Sequence, residues 1–165
     1  MKSKVIKISM RVCFIIYLLA LLYLLFLKGI LVRGHRIETI EDYGFWQGIQ
    51  WCVNLVPFRT ISDYIKRMDP ISINSIHDFA IQNLAGNVLL FVPMGMFLPY
   101  FLPKQRKFLK FFITSFFTIV CVEILQLITL LGACDIDDLI LNLTGACVGF
   151  VLFYLIKPIL LQKNN

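Results

Sequence analysis

The chain is poor in charge and poorer still in the residues that hold metals. Only 16% of its 165 residues are charged, and it has two histidines and five cysteines. His35 and His77 stand far from one another and from the acidic stretch near Asp135. Cys13, Cys52, Cys121, Cys134 and Cys147 are scattered, so there is no zinc-type His/Cys set. No nucleophilic Ser or Cys motif is present. An internal repeat, the usual mark of a transporter fold, is also missing. What remains is apolar: 59% of residues are hydrophobic and the mean hydropathy is +0.80. A soluble domain of this length has no means of covering so much apolar surface, so the class is integral membrane protein.

A helical span needs roughly 20 mostly apolar residues. Four runs qualify, at residues 12–32, 80–102, 108–131 and 138–160. The expected fold is all-α: a membrane bundle of four transmembrane helices with a long outer interfacial loop, one domain over residues 1–165. The net charge is +6, but its placement says more than its sum. Lys2, Lys4, Lys7 and Arg11 precede the first run, Lys104, Arg106, Lys107 and Lys110 separate the second from the third, and Lys157 and Lys163 end the chain. Nine of the ten acids fall in the other two connections. Positive charge collects on the cytoplasmic side, so both termini are expected inside, with residues 33–79 and 132–137 outside. The positive charge therefore needs no nucleic-acid partner.

The first run is too long for a cleaved signal peptide and lacks a small-x-small cleavage site before Lys28. It is read as an uncleaved span. In the outer segment, Trp46 and Trp51 suit the membrane–water boundary. Pro57 biases Val56 towards an extended backbone. Ile61, Ile65 and Met68 mark a short amphipathic helix that Asp69-Pro70 ends. Ser75 with Asp78 reads as the next helix start. A kink is expected at Leu89–Pro93, with Pro99 and Pro103 helping to end the second span. Cys52 and Cys134 would both lie outside, either disulfide-bonded or as free thiols.

Buried polar groups in such a chain are expensive and need a reason. Asn83 and Asn87 share a face of the second span, and Glu123 and Gln126 share one on the third. Asp135, Asp137 and Asp138 precede or open the fourth, which continues through Asn142, Gly145 and Gly149. Glu123 lies about nine residues from the outer end of its span, a depth of roughly 13 Å in a hydrocarbon core about 30 Å thick. All eight polar residues thus fall in the outer half and form a candidate ligand-binding set. Glu123 is the candidate for any catalytic role. The bland readings are helix capping for the three acids, interhelical hydrogen bonding for the asparagines, and a neutral, hydrogen-bonded carboxyl at Glu123. Gly86, Gly145 and Gly149 read as helix-packing positions. No metal site is assigned, and the sequence identifies no cofactor.

The stretch from Asn54 to Gly149 resembles the VanZ-like family of bacterial membrane proteins. The resemblance is carried by Asn54-Leu-Val-Pro57-Phe58-Arg59-Thr-Ile, by Asn83-Leu-Ala-Gly86-Asn87 continuing through Phe91-Val-Pro93-Met-Gly95 to Leu98-Pro99, by Glu123-Ile-Leu-Gln126, and by Asp135-Ile-Asp137-Asp138-Leu-Ile-Leu-Asn142-Leu-Thr-Gly145. Many members carry an Arg shortly before the Asp triplet, where this chain has Leu131-Gly-Ala-Cys134. The resemblance implies a multi-pass protein of the bacterial plasma membrane and a link to resistance against the glycopeptide teicoplanin. Two functional readings follow. In the first, a non-enzymatic factor binds a lipid head group or cell-wall precursor in an outer-leaflet pocket. In the second, a membrane enzyme works on a lipid-linked substrate, with Glu123 as general acid/base and the three aspartates holding a divalent cation.

Overall fold

The computed structural model describes residues 2–27, 44–67, 76–129 and 131–161. Helix α1 (Lys2–Leu22) runs into a π-helical turn, Tyr23–Leu27. Helix α2 (Phe45–Trp51), strand β1 (Val53–Asn54) and helix α3 (Arg59–Arg67) make up the connecting segment. Helix α4 (Ile76–Phe101), a 3-10 turn (Pro103–Arg106), helix α5 (Phe108–Ile128), strand β2 (Cys134–Asp135) and helix α6 (Ile136–Leu160) complete the order. Four helical stretches are long and apolar enough to cross a membrane, at Lys4–Leu27, Gln82–Phe101, Phe108–Ile128 and Ile136–Leu160. The protein is therefore an all-α, multi-pass membrane protein. The expected positions Met68, Asp69-Pro70, Ser75 and His35 lie outside the described residues.

The central pair is α4 against α6, and small residues set its closeness. A Cβ on Gly145 would stand 2.0 Å from the Val88 carbonyl oxygen, one on Gly149 would stand 1.9 Å from that of Val92, and one on Gly95 would stand 2.0 Å from that of Ala146. Backbones meet where side chains are missing, the usual way helices pack when lipid removes the hydrophobic incentive. Gly86 takes no part in this approach: nothing lies within 4 Å of where its Cβ would be.

Helix α5 faces this pair along Phe111, Ser115, Ile119 and Glu123, its four buried residues at steps of four. Phe111 stacks on Phe150 with ring centroids 4.5 Å apart, within a core shared with Phe91, Met94, Ile119 and Ala146. Helix α1 leans on α4 through aromatic rings, with Phe14 5.3 Å from Phe97. The outward faces carry exposed apolar side chains such as Phe117, Ile128 and Leu155, as helices in lipid do. Helix α4 continues through both Pro93 and Pro99. It extends past the Pro99 expected to help end it, to Phe101, and the Arg106 Nε–H donates to the Pro99 carbonyl at 3.1 Å.

Candidate functional site

The two short strands create the site. Val53 pairs with Cys134 and Asn54 with Asp135 in a parallel bridge, and the Cys134 N–H donates to the Cys52 carbonyl at 2.8 Å. Both cysteines are free thiols. This bridge holds the connecting segment against the start of α6, and the acids there complete the attachment. Asp135 is the N-cap of α6: its Oδ1 accepts from the Asp137 N–H at 2.9 Å. The same oxygen accepts from Asn54 Nδ2 at 3.2 Å, and Oδ2 accepts from the Thr60 hydroxyl at 2.6 Å. Asn54 Nδ2 also donates to Thr60 Oγ1 at 2.9 Å.

Asp137 is fully enclosed. Its Oδ1 accepts from the Phe58 N–H at 2.5 Å and its Oδ2 from the Ile61 N–H at 3.1 Å. Those donors belong to the entry of α3, whose first N–H groups have no partner within the helix. One carboxylate thus serves the starts of two helices, standing in the first turn of α6 while closing the first turn of α3. The loop needs this support. Val56 to Arg59 form a turn in which the Arg59 N–H reaches the Val56 carbonyl at 3.3 Å. Pro57 takes the second position, and Phe58 takes the third with φ of +63°. That position normally calls for glycine, and a bulky residue there costs on the order of 1–3 kcal/mol. Charge-assisted hydrogen bonds of about 1.5–3 kcal/mol each offset it.

The eight polar residues expected to converge separate into three groups. Asp135 and Asp137 fasten the loop. Two others secure neighbouring helices: Asn83 Nδ2 donates to the Tyr64 hydroxyl of α3 at 2.8 Å, and Gln126 Nε2 donates to the Leu25 carbonyl in the π-helical turn at 3.0 Å. Such a turn leaves carbonyls in need of donors. The remaining four, Asn87, Glu123, Asp138 and Asn142, face a common region. Asn87 Nδ2 donates to Asp138 Oδ1. Asn142 lies one helical turn beyond Asp138 on the same face. The Glu123 carboxyl stands within electrostatic reach of Asp138, Asp135 and the Asp135 backbone N–H. Glu123 is 5% exposed and Asn142 3%, and both leave an acceptor, Glu123 Oε2 and Asn142 Oδ1, without a hydrogen-bond partner among the described residues. Asn54, Thr60 and Tyr64 belong to this end of the protein but were not among the expected site residues. Their sequence signal was the loop motif around Pro57, which fixes a turn without saying what it docks on.

The geometry defines a multi-pass helical membrane protein with a cluster of buried acceptors at one end, beside a docked loop. The chain belongs to the VanZ/LLP1 family, whose sequence pattern matches residues 14–157. It is 27% identical over 158 residues to Protein VanZ of Enterococcus faecium, covering 96% of this chain and 81% of that protein. No solved structure matches it.

Proposed function

We propose that this is a resistance-related factor of the bacterial plasma membrane which binds the head group of an envelope lipid or cell-wall precursor in the outer leaflet. By holding that head group it lowers the access of a lipid-anchored glycopeptide such as teicoplanin to its target. Both termini lie in the cytoplasm, which places the loop and the acceptor cluster outside. The observation that carries the reading is the pair of unpartnered buried oxygens, Glu123 Oε2 and Asn142 Oδ1, beneath Asn87 and Asp138. An unmet buried acceptor costs about 1–3 kcal/mol, and a ligand that supplies a donor removes that cost. The kinship with Protein VanZ supports the resistance link.

The enzymatic alternative rests on the same Glu123, which an open oxygen suits for proton transfer. It is weakened at the aspartates. Asp135 and Asp137 direct their oxygens to Asn54, Thr60, Phe58 and Ile61 rather than to a shared cation position.

Glycopeptide susceptibility of a strain expressing Glu123→Gln at matched membrane abundance tests the proposal. Replacing a neutral hydrogen bond changes an equilibrium by roughly tenfold at most. Losing a protonation role in catalysis costs about 100- to 10,000-fold. The expected result is lost protection with unchanged protein level. Full protection with Gln reduces Glu123 to a structural residue. If the wild-type protein changes no susceptibility, the resistance assignment fails.

A further inference from the structure

The acceptor cluster also identifies the chemistry of its ligand. Among the described residues, the charged neighbours that act on Glu123 and Asp138 are carboxylates: Asp138 and Asp135 act on Glu123, and Asp135 and Asp137 act on Asp138. No Lys or Arg is ion-paired there among the described residues. Asp137 is matched by the N–H groups of Phe58 and Ile61. Asp135 is matched by Asn54, Thr60 and its own helix. Among the described residues, Asp138 is met by the neutral Asn87 amide. Glu123 Oε2 and Asn142 Oδ1 have no hydrogen-bond partner among the described residues. The shortfall is of donors and of any cation, and it sits at the end of an apolar bundle where an unpaired carboxyl is costly to ionise.

We infer that the cluster of Glu123, Asp138, Asn142 and Asn87 binds the protonated primary amine of a membrane lipid head group, whose positive charge and three N–H donors meet the orphaned acceptors. This deepens the lipid-binding reading proposed above and rests on it. A primary ammonium fits the donor count: it has three N–H bonds, and Glu123 Oε2, Asn142 Oδ1 and the Asp138 carboxylate supply the acceptors. Asn87 and Asp138 are half-buried and form the open side, with Glu123 and Asn142 deeper. Ile124 beside Glu123 and Ile128 one turn further are exposed apolar side chains on one face of the same helix, and they offer acyl chains a surface. A lipid is therefore the source of the amine rather than a small solute.

The test is native mass spectrometry of the full-length protein in detergent, titrated with short-chain phosphatidylethanolamine, its N-acetylated derivative and phosphatidylglycerol. Phosphatidylethanolamine should bind at least roughly tenfold more tightly than the other two, the loss expected when a charge-assisted hydrogen bond is removed. Glu123→Gln should abolish the preference, and Asp63→Asn, an exposed acid on α3, should keep it. If Glu123→Gln does not fold, Asp138→Asn at the open side takes its place. Equal binding of phosphatidylethanolamine and its N-acetylated derivative would overturn the ammonium assignment while leaving lipid binding intact, as would a preference that survives both substitutions. Displacement by free ethanolamine at comparable concentration would overturn the lipid as source. A wild-type protein that retains none of the three lipids would sink the lipid-binding reading itself.

Discussion

Asp137→Asn is the most direct probe of how the loop is held. The carboxylate accepts from two backbone donors, Phe58 N–H at 2.5 Å and Ile61 N–H at 3.1 Å, and its side chain has no exposure to exchange them for water. An asparagine in the same position keeps one acceptor oxygen. Whichever way its amide turns, an NH2 group faces one of the two N–H donors. The substitution removes a charge-assisted hydrogen bond and strands a buried donor. With charged hydrogen bonds at about 1.5–3 kcal/mol and an orphaned group at about 1–3 kcal/mol, the loop loses roughly 2–4 kcal/mol after relaxation. That corresponds to an increase of about 30- to 700-fold in its opening equilibrium. Hydrogen exchange at the Phe58 and Ile61 amides reads this directly, since both are protected only while the loop is docked. Exchange at the α4–α6 core should stay as in the wild type, and Asp63→Asn should alter neither. Unchanged exchange at Phe58 and Ile61 in Asp137→Asn would refute the assignment of Asp137 as the anchor.

Three further outcomes are expected. Gly149→Ala should lower the unfolding temperature in detergent by an amount equivalent to about 1–3 kcal/mol, because its Cβ would lie 1.9 Å from the Val92 carbonyl oxygen. Gly86→Ala should be neutral or stabilising, since its surroundings are open and alanine is favoured in helices by about 1 kcal/mol. Burial, then the carboxylates of Glu123 and Asp135, push the Cys134 thiol above its usual pKa. In a variant retaining that cysteine alone, maleimide labelling at pH 8 should therefore be slower than for a free thiol, and Asp135→Asn should speed it by raising the thiolate fraction. For orientation, an impermeant thiol reagent added to intact cells should label a cysteine introduced at Glu38 and miss one at Lys104. Labelling at Lys104 would reverse the proposed topology.

Much of the architecture was legible in the sequence, because the spans are long apolar runs and lipid leaves the backbone few alternatives. The burial of Glu123 has a sequence correlate: it continues the four-residue stripe of Phe111, Ser115 and Ile119 that faces the core. What periodicity does not carry is which partner each polar residue finds. Asn83 and Asn87 share a helix face, yet one reaches Tyr64 and the other Asp138. Gln126, three residues from Glu123, serves the π-helical turn. The parallel bridge was invisible because it joins two-residue strands far apart in the chain, where no alternation pattern has room to form. Gly86 and Gly145 look alike in sequence, and only the rotation of α4 about its own axis separates them.

The span of chain between Phe58 and its anchor has a consequence for biogenesis. The hydrogen bond from the Phe58 amide to Asp137 joins residues 79 positions apart. At a synthesis rate of about 5–20 residues per second, the loop emerges roughly 4–16 s before the carboxylate that will hold it exists. During that interval the turn around Pro57 has neither the Asp137 contact nor the strand pairing that offsets the strain at Phe58. Membrane insertion of the final helix therefore completes two things at once: it seats Gly145 and Gly149 against α4, and it delivers the latch for a segment made long before. A released chain truncated before Asp135 should hold three inserted helices and an undocked loop. Quality-control proteases would meet their most accessible substrate at that stage of assembly.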